Sequence, residues 1–130
     1  MSRRSKLEKV VQREIELALG AQPDLMLLRN SLGLAKYVSD DGKAFSVPYG
    51  LGEGSPDLVG ILRSCVQWNA FRTLDVGRWF CLEVKAPGEK ATDEQEKCHD
   101  VWRKFGAFVA VVDSAEAARA ALERARRGES

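Results

Sequence analysis

At 130 residues, 45% of them hydrophobic, the chain is sized for one domain (1–130) around one core and leaves no room for a second catalytic domain. Its 20 Lys and Arg balance 19 Asp and Glu to a formal charge of +1, so the field of the whole molecule selects no partner, although both ends are locally basic. Three cysteines without a CxxC pair and a single histidine exclude a structural zinc site and fit a reducing cytoplasm, and no apolar segment has the length of a membrane span.

Residues 5–19, SKLEKVVQREIELAL, carry Leu7, Val10, Val11, Glu14, Ile15, Ala18 and Leu19 at helical spacing, and Gly20 stops the run. Glu14 falls inside this apolar stripe, where a carboxylate must be paired, protonated or bound to a cation. Pro23-Asp24 opens a predicted strand, LMLLRN, the proline fixing φ and the aspartate bonding to nearby backbone. In YVSDDGKAFSVP, Asp41-Gly42 is a two-residue turn signal between β-prone flanks and predicts a hairpin. Gly50, Gly52 and Gly54 lead to a second PDL, Pro56-Asp57-Leu58, whose strand is expected to continue toward Phe71 and to break at Asp75-Val76-Gly77.

RWFCLEVKA is apolar on both faces up to Leu82 and alternates afterwards, as a central strand does when its end emerges into a cleft. Pro87-Gly88 turns it. Thr92 and Gln95 have the spacing of a capping box, and Cys98, Val101, Trp102 and Phe105 mark one face of the helix behind them, which Gly106 ends. AFVAVVD reads as a buried strand, and Ser114 caps a last helix rich in Ala and Arg. This order predicts an α/β fold with a central mixed β-sheet flanked by α-helices.

Glu83-Val84-Lys85 carries the most chemistry. Residues two apart on a strand share a face, so Glu83 and Lys85 look one way and Val84 the other. An exposed ion pair at a strand end contributes little. A further carboxylate from a neighbouring strand changes that: two carboxylates and a backbone carbonyl such as that of Val84 offer hard oxygens to a divalent cation, and the lysine can orient or help deprotonate an attacking water. Both PDL segments offer such a carboxylate. Asp57 has the glycine-rich approach and a strand after it, whereas Asp24 matches only the local letters and reads as a turn or strand start.

The ordered set Pro56-Asp57, Glu83-Val84-Lys85 resembles the PD-(D/E)XK nuclease superfamily. Gly54 to Leu58, LEVKAPG, Thr92 and Gln95 resemble its VRR-NUC branch, the virus-type replication-repair nuclease domain, and the resemblance runs from the first helix to the strand at 108–113. It implies a restriction-endonuclease-like fold and a metal-dependent, structure-specific endonuclease for branched DNA such as four-way (Holliday) junctions. The implied setting is phage or bacterial replication and repair, in the cytoplasm of a bacterial cell or phage-infected host. By the same resemblance Asp57 and Glu83 bind Mg²⁺ or Mn²⁺, Lys85 serves the nucleophilic water, Glu14 helps complete the metal or water site, and Gln95 supports the cleft. Symmetric cuts across a junction require two active sites, which implies a homodimer; Trp68, Phe71 and Trp79 are candidates for its interface, or for the core. Gln95 is read as either helix cap or site residue, one side chain not being expected to do both. Arg29, Asn30, Ser55, Lys90 and His99 are candidate DNA contacts, against structural roles in a hairpin connection, a loop or the interior. The rival reading is a non-catalytic nucleic-acid-binding or assembly module on a nuclease fold, which the joint presence of Asp57, Glu83 and Lys85 disfavours.

Overall fold

The computed structural model describes residues 2–130. In chain order they form α1 (Arg3–Leu19), β1 (Leu25–Arg29), β2 (Gly33–Val38), β3 (Ala44–Tyr49), β4 (Leu58–Asn69), β5 (Arg72–Val84), α2 (Asp93–Lys104), β6 (Phe108–Val112) and α3 (Ala115–Arg126). Four strands make a mixed sheet in the order β1-β4-β5-β6, antiparallel except for the parallel pair β5 and β6. A parallel pair needs a crossover, and α2 supplies it. β2 and β3 pair only with each other, as the hairpin that Asp41-Gly42 predicts, with Gly42 at φ 83° in its turn. The expected α/β architecture, a central mixed sheet flanked by helices, is thus present. Among the described residues no helix is long and apolar enough to cross a membrane.

Alternation along the strands divides the interior in two. Leu58, Leu62, Phe80, Leu82 and Val84 face α1 and α3, whose Val11, Ile15, Leu19, Ala118, Leu122 and Ala125 complete the main core, with Phe80 stacked on Phe108 at 5.4 Å. Val59, Cys81 and Val109 face the other way, toward Ala107 and Trp102 of the α2 side. The Cys81 thiol is pushed up to about 12 by burial, which leaves it an inert small hydrophobe, as its apolar setting suggests.

Three local expectations need correction. On α1 the buried stripe is Val11, Ile15 and Leu19, while Leu7, Val10, Glu14 and Leu17 are exposed. At about 100° per residue, Glu14 sits a quarter-turn to one side of Ile15, so the apparent single stripe merges a buried row with an exposed one. On α2, Val101 and Phe105 are exposed, and the inward row is Gln95, His99 and Trp102. Polar side chains turn inward there because Glu83 and Lys85 lie on that face of the sheet.

The third correction concerns β5, which does not break at Asp75-Val76-Gly77. It runs unbroken from Arg72, and the chain reverses instead at Ala70-Phe71. Gly77 is a strand residue, because a Cβ there would come within 2.7 Å of the Ile61 side chain. A two-residue hairpin turn favours positive φ, which neither Ala70 nor Phe71 adopts, and a register shift between Gln67 and Asn69 absorbs the mismatch. Beyond the helices β4 and β5 form a two-stranded arm. One of its faces holds the Arg63–Asp75 ion pair (3.2 Å), and the other holds Val66, Leu74 and Val76. Phe71, 95% exposed, caps its tip; Trp68 and Trp79 are also exposed, so none of the three is core.

Candidate metal centre

The register of β4 against β5 builds the site. Leu58 pairs with Leu82, so the next residues along, Asp57 and Glu83, come opposite each other at the end of the ladder. Here β4 has just begun and β5 is about to end. Val84 turns its N–H toward β4, donating to Asp57 Oδ2 at 2.7 Å, while Lys85 N–H turns to the Val112 carbonyl of β6 at 2.9 Å. The carbonyl of Val84 leaves the strand on the same edge as its N–H, beside Asp57. Glu83 and Lys85 share the face covered by α2, and both are buried, with Nζ 3.6 Å from Glu83 Oε1.

Asp57 is held there by a braced loop. Gly54, at φ 79°, lies against α2, where a Cβ would meet the Glu94 carbonyl at 2.9 Å. Asn30 closes the loop from β1: its Nδ2 donates to Ser55 Oγ and to the Pro56 carbonyl, both at 2.8 Å, and its Oδ1 accepts from Leu51 N–H at 3.1 Å. Its own N–H donates to the Asp57 carbonyl at 2.8 Å, and Ser55 Oγ donates to the Gly52 carbonyl at 2.6 Å. Asn30 and Ser55 therefore act as braces of this loop, on which their side-chain polar groups are spent. Asn30→Ala should cost about 1–3 kcal/mol, because three hydrogen bonds lose one partner each; thermal denaturation beside the wild type measures it.

Gln95 does two jobs that its sequence position alone sets in competition. Its Oε1 accepts from Thr92 N–H at 2.9 Å and Thr92 Oγ1 accepts from Gln95 N–H at 3.2 Å, completing the capping box; its Nε2 donates to Glu83 Oε1. An amide has an acceptor end and a donor end, so cap and site role coexist. One turn on, His99 is buried with Nε2 4.0 Å from Glu83 Oε2. That burial removes it from any surface contact with DNA. Lys90 is exposed on the loop after β5, and Arg29 is held in a two-pronged pair with Glu16, Nη2 to Oε2 at 2.8 Å.

Asp24, the other PDL aspartate, lies elsewhere. Arg126 clamps it with Nε to Oδ2 at 2.8 Å and Nη2 to Oδ1 at 2.7 Å, tying the start of β1 to the end of α3 and holding its carboxyl below the usual range. Glu14 points away too. Measured around α1 from Ile15, Gln12 and Glu16 lie on one flank and Glu14 on the other. Gln12 and Glu16, with Lys9 and Arg13, line a cleft of about 750 Å³ that also reaches Arg29, Asn30 and Asp57. The helix carboxylate whose charge reaches Asp57 is Glu8. The signal was available in the sequence, since Glu8 is seven residues before Ile15 and hence on nearly the same bearing.

Comparison of the chain with protein-family models, curated proteins and solved structures finds no match. The chemistry of the centre is read from its own charges. Burial raises the Asp57 carboxyl above its ordinary range against the pull of the Val84 N–H, and burial followed by the charge of Asp57 pushes Glu83 up to about 8. Each carboxyl thus titrates under the influence of the other. Glu83 Oε2 is buried and, among the described residues, has no hydrogen-bond partner.

Two crowded carboxyls are a donor set that a divalent cation fits, because its charge offsets both the burial and the repulsion. Among the described residues no three His, Cys, Asp and Glu side chains cluster as a complete metal cage. A pair of carboxylates, with backbone and water for the remainder, is the pattern of a Mg²⁺ site that leaves positions open to a phosphate.

Proposed function

We propose that this chain is a metal-dependent, structure-specific DNA endonuclease of the PD-(D/E)XK kind, close to the VRR-NUC branch, hydrolysing phosphodiester bonds in branched DNA such as four-way junctions. The observation that carries the reading is the convergence of Asp57, Glu83 and Lys85, two carboxyls and an ammonium half-buried or buried together where two strands end. Asp57 and Glu83, with the Val84 carbonyl, would hold Mg²⁺ or Mn²⁺. When bound, the cation supplies Lewis acidity and charge neutralisation at the scissile phosphate. Lys85, anchored by Glu83, directs its ammonium at the attacking water, and Gln95 keeps the Glu83 carboxylate from rotating away.

Substrate enters from the cleft beside Asp57. Lys9 and Arg13 on its α1 wall are placed to meet backbone phosphates; Arg29, neutralised by Glu16, stiffens the wall instead. Phosphate contacts of this type position a duplex without reading bases, so DNA shape selects the substrate. Paired cuts across a junction require a homodimer, and the apolar face and aromatic tip of the β4–β5 arm are the surface offered to it.

The test is a panel of end-labelled junction, flap, splayed and linear DNAs incubated with Mg²⁺, Mn²⁺ or EDTA, with products mapped to the nucleotide. Cation-dependent cuts near branch points are expected. No cation-dependent cutting of any substrate overturns the enzymatic reading and leaves a binding module, and a monomer by sedimentation at micromolar concentration overturns paired junction cleavage.

A further inference from the structure

Glu83 is gripped from behind by a single helix face. Gln95 and His99, four residues apart on α2, both point at its carboxylate, one toward each oxygen. Oε1 already has the Gln95 amide and the Lys85 ammonium. Oε2 and His99 Nε2 have no partner among the described residues, and they are the buried orphans of the whole site, 4.0 Å apart with both side chains almost wholly inaccessible. A gap of 4.0 Å is longer than a hydrogen bond. A small rotation of either flat group closes it. Leaving both orphaned would cost about 1–3 kcal/mol for each group.

We infer that His99 is a positioning residue for Glu83, its Nε2–H being the donor that belongs to Oε2, so that the carboxylate is fixed at both oxygens and presents one orientation to Asp57. The inference rests on Glu83 being a cation ligand, and assigns to His99 a role behind that ligand: it touches neither cation nor substrate. Ligating carboxylates held by outer hydrogen bonds lose about 10–100-fold in metal affinity or activity when the outer partner is removed. Packing alone would have been met by an aliphatic side chain in this interior.

Since the chain has one histidine, ¹⁵N NMR of untagged protein reads this ring with no assignment problem. In saturating Mg²⁺, which displaces the proton that Glu83 otherwise holds, the expected state is the Nε2–H tautomer. In parallel, Mn²⁺ affinity by calorimetry should fall about 10-fold or more in His99→Leu and recover in His99→Gln, whose amide returns a donor to the Nε2 position. An Nδ1–H ring in saturating Mg²⁺, which has nothing to donate at Nε2, overturns the inference even if the leucine variant fails to fold. So does Mn²⁺ uptake that neither substitution changes. No Mn²⁺ uptake by the wild-type chain overturns the metal-centre reading itself, and this inference with it.

Discussion

Asp57→Asn and Lys85→Ala should each lower cation-dependent cleavage of branched DNA by about 10²–10⁴-fold, the range in which a positioned acid–base group contributes, while Asp24→Asn leaves it near the wild-type rate. The contrast follows from where the two PDL segments put their aspartates. Asp57 opposes Glu83 at the open end of the β4–β5 ladder, whereas Asp24 is clamped by Arg126 at the far end of β1. Asn at position 57 can still accept from Val84 N–H, so the fold is retained and the loss is chemical. Asp24→Asn surrenders its charge pair to Arg126 and should register only as a lower melting temperature. Single-turnover cleavage of a labelled junction, with each variant checked by thermal denaturation, measures both. Wild-type rates in Asp57→Asn would remove Asp57 from the site.

Freed of divalent cations, the protein should lose stability as the pH rises from 6.5 to 8. Glu83 keeps its proton up to about 8 when folded and only to its ordinary 4.5 when unfolded, so across that range the folded chain holds the extra proton and deprotonation weakens it. His99 works in the opposite sense. Burial, aided by the Arg103 charge, lowers it from 6.5 to about 4, so below 6.5 the unfolded chain binds the extra proton. The two effects oppose each other between 4.5 and 6.5, leaving Glu83 uncompensated above, where the loss reaches about 2 kcal/mol. Asp57, also raised, acts in the sense of Glu83 at the acid end.

Glu83→Gln should flatten this profile and raise the melting temperature at pH 8 while removing activity. Mn²⁺ at pH 8 should restore wild-type stability by binding only the folded chain. Melting curves in EDTA and in Mn²⁺ across this pH range provide the check, and a flat wild-type profile in EDTA would show that Glu83 is not held protonated.

Much of the fold was legible because local chemistry and tertiary structure agree. Asp41-Gly42 dictates its hairpin and Thr92 and Gln95 cap α2, whereas the change in alternation after Leu82 does not bring β5 out of the core, since Glu83, Val84 and Lys85 are all buried. The period of two in Glu83-Val84-Lys85 likewise assigns faces correctly from sequence. The errors arose where one pattern has two physical causes. Glu14 sits in a row of apolar residues, but a helix can expose such a row as well as bury it, and spacing alone does not say which flank meets the sheet. Asp75-Val76-Gly77 spells a turn, yet its glycine answers to the Ile61 side chain across the ladder. On α2, hydrophobicity pointed to Val101 and Phe105, whereas the inward face is set by charges on a strand ten or more residues earlier. Asn30 and His99 depend on such distant partners, which is why no local motif announces their roles.

The double use of Gln95 binds secondary structure to chemistry. The same amide that stops the first turn of α2 from fraying also restrains Glu83, so the two cannot fail separately. Gentle warming that loosens this one turn would release the Glu83 carboxyl while the sheet remains intact, making the helix start a thermal fuse for this corner of the fold.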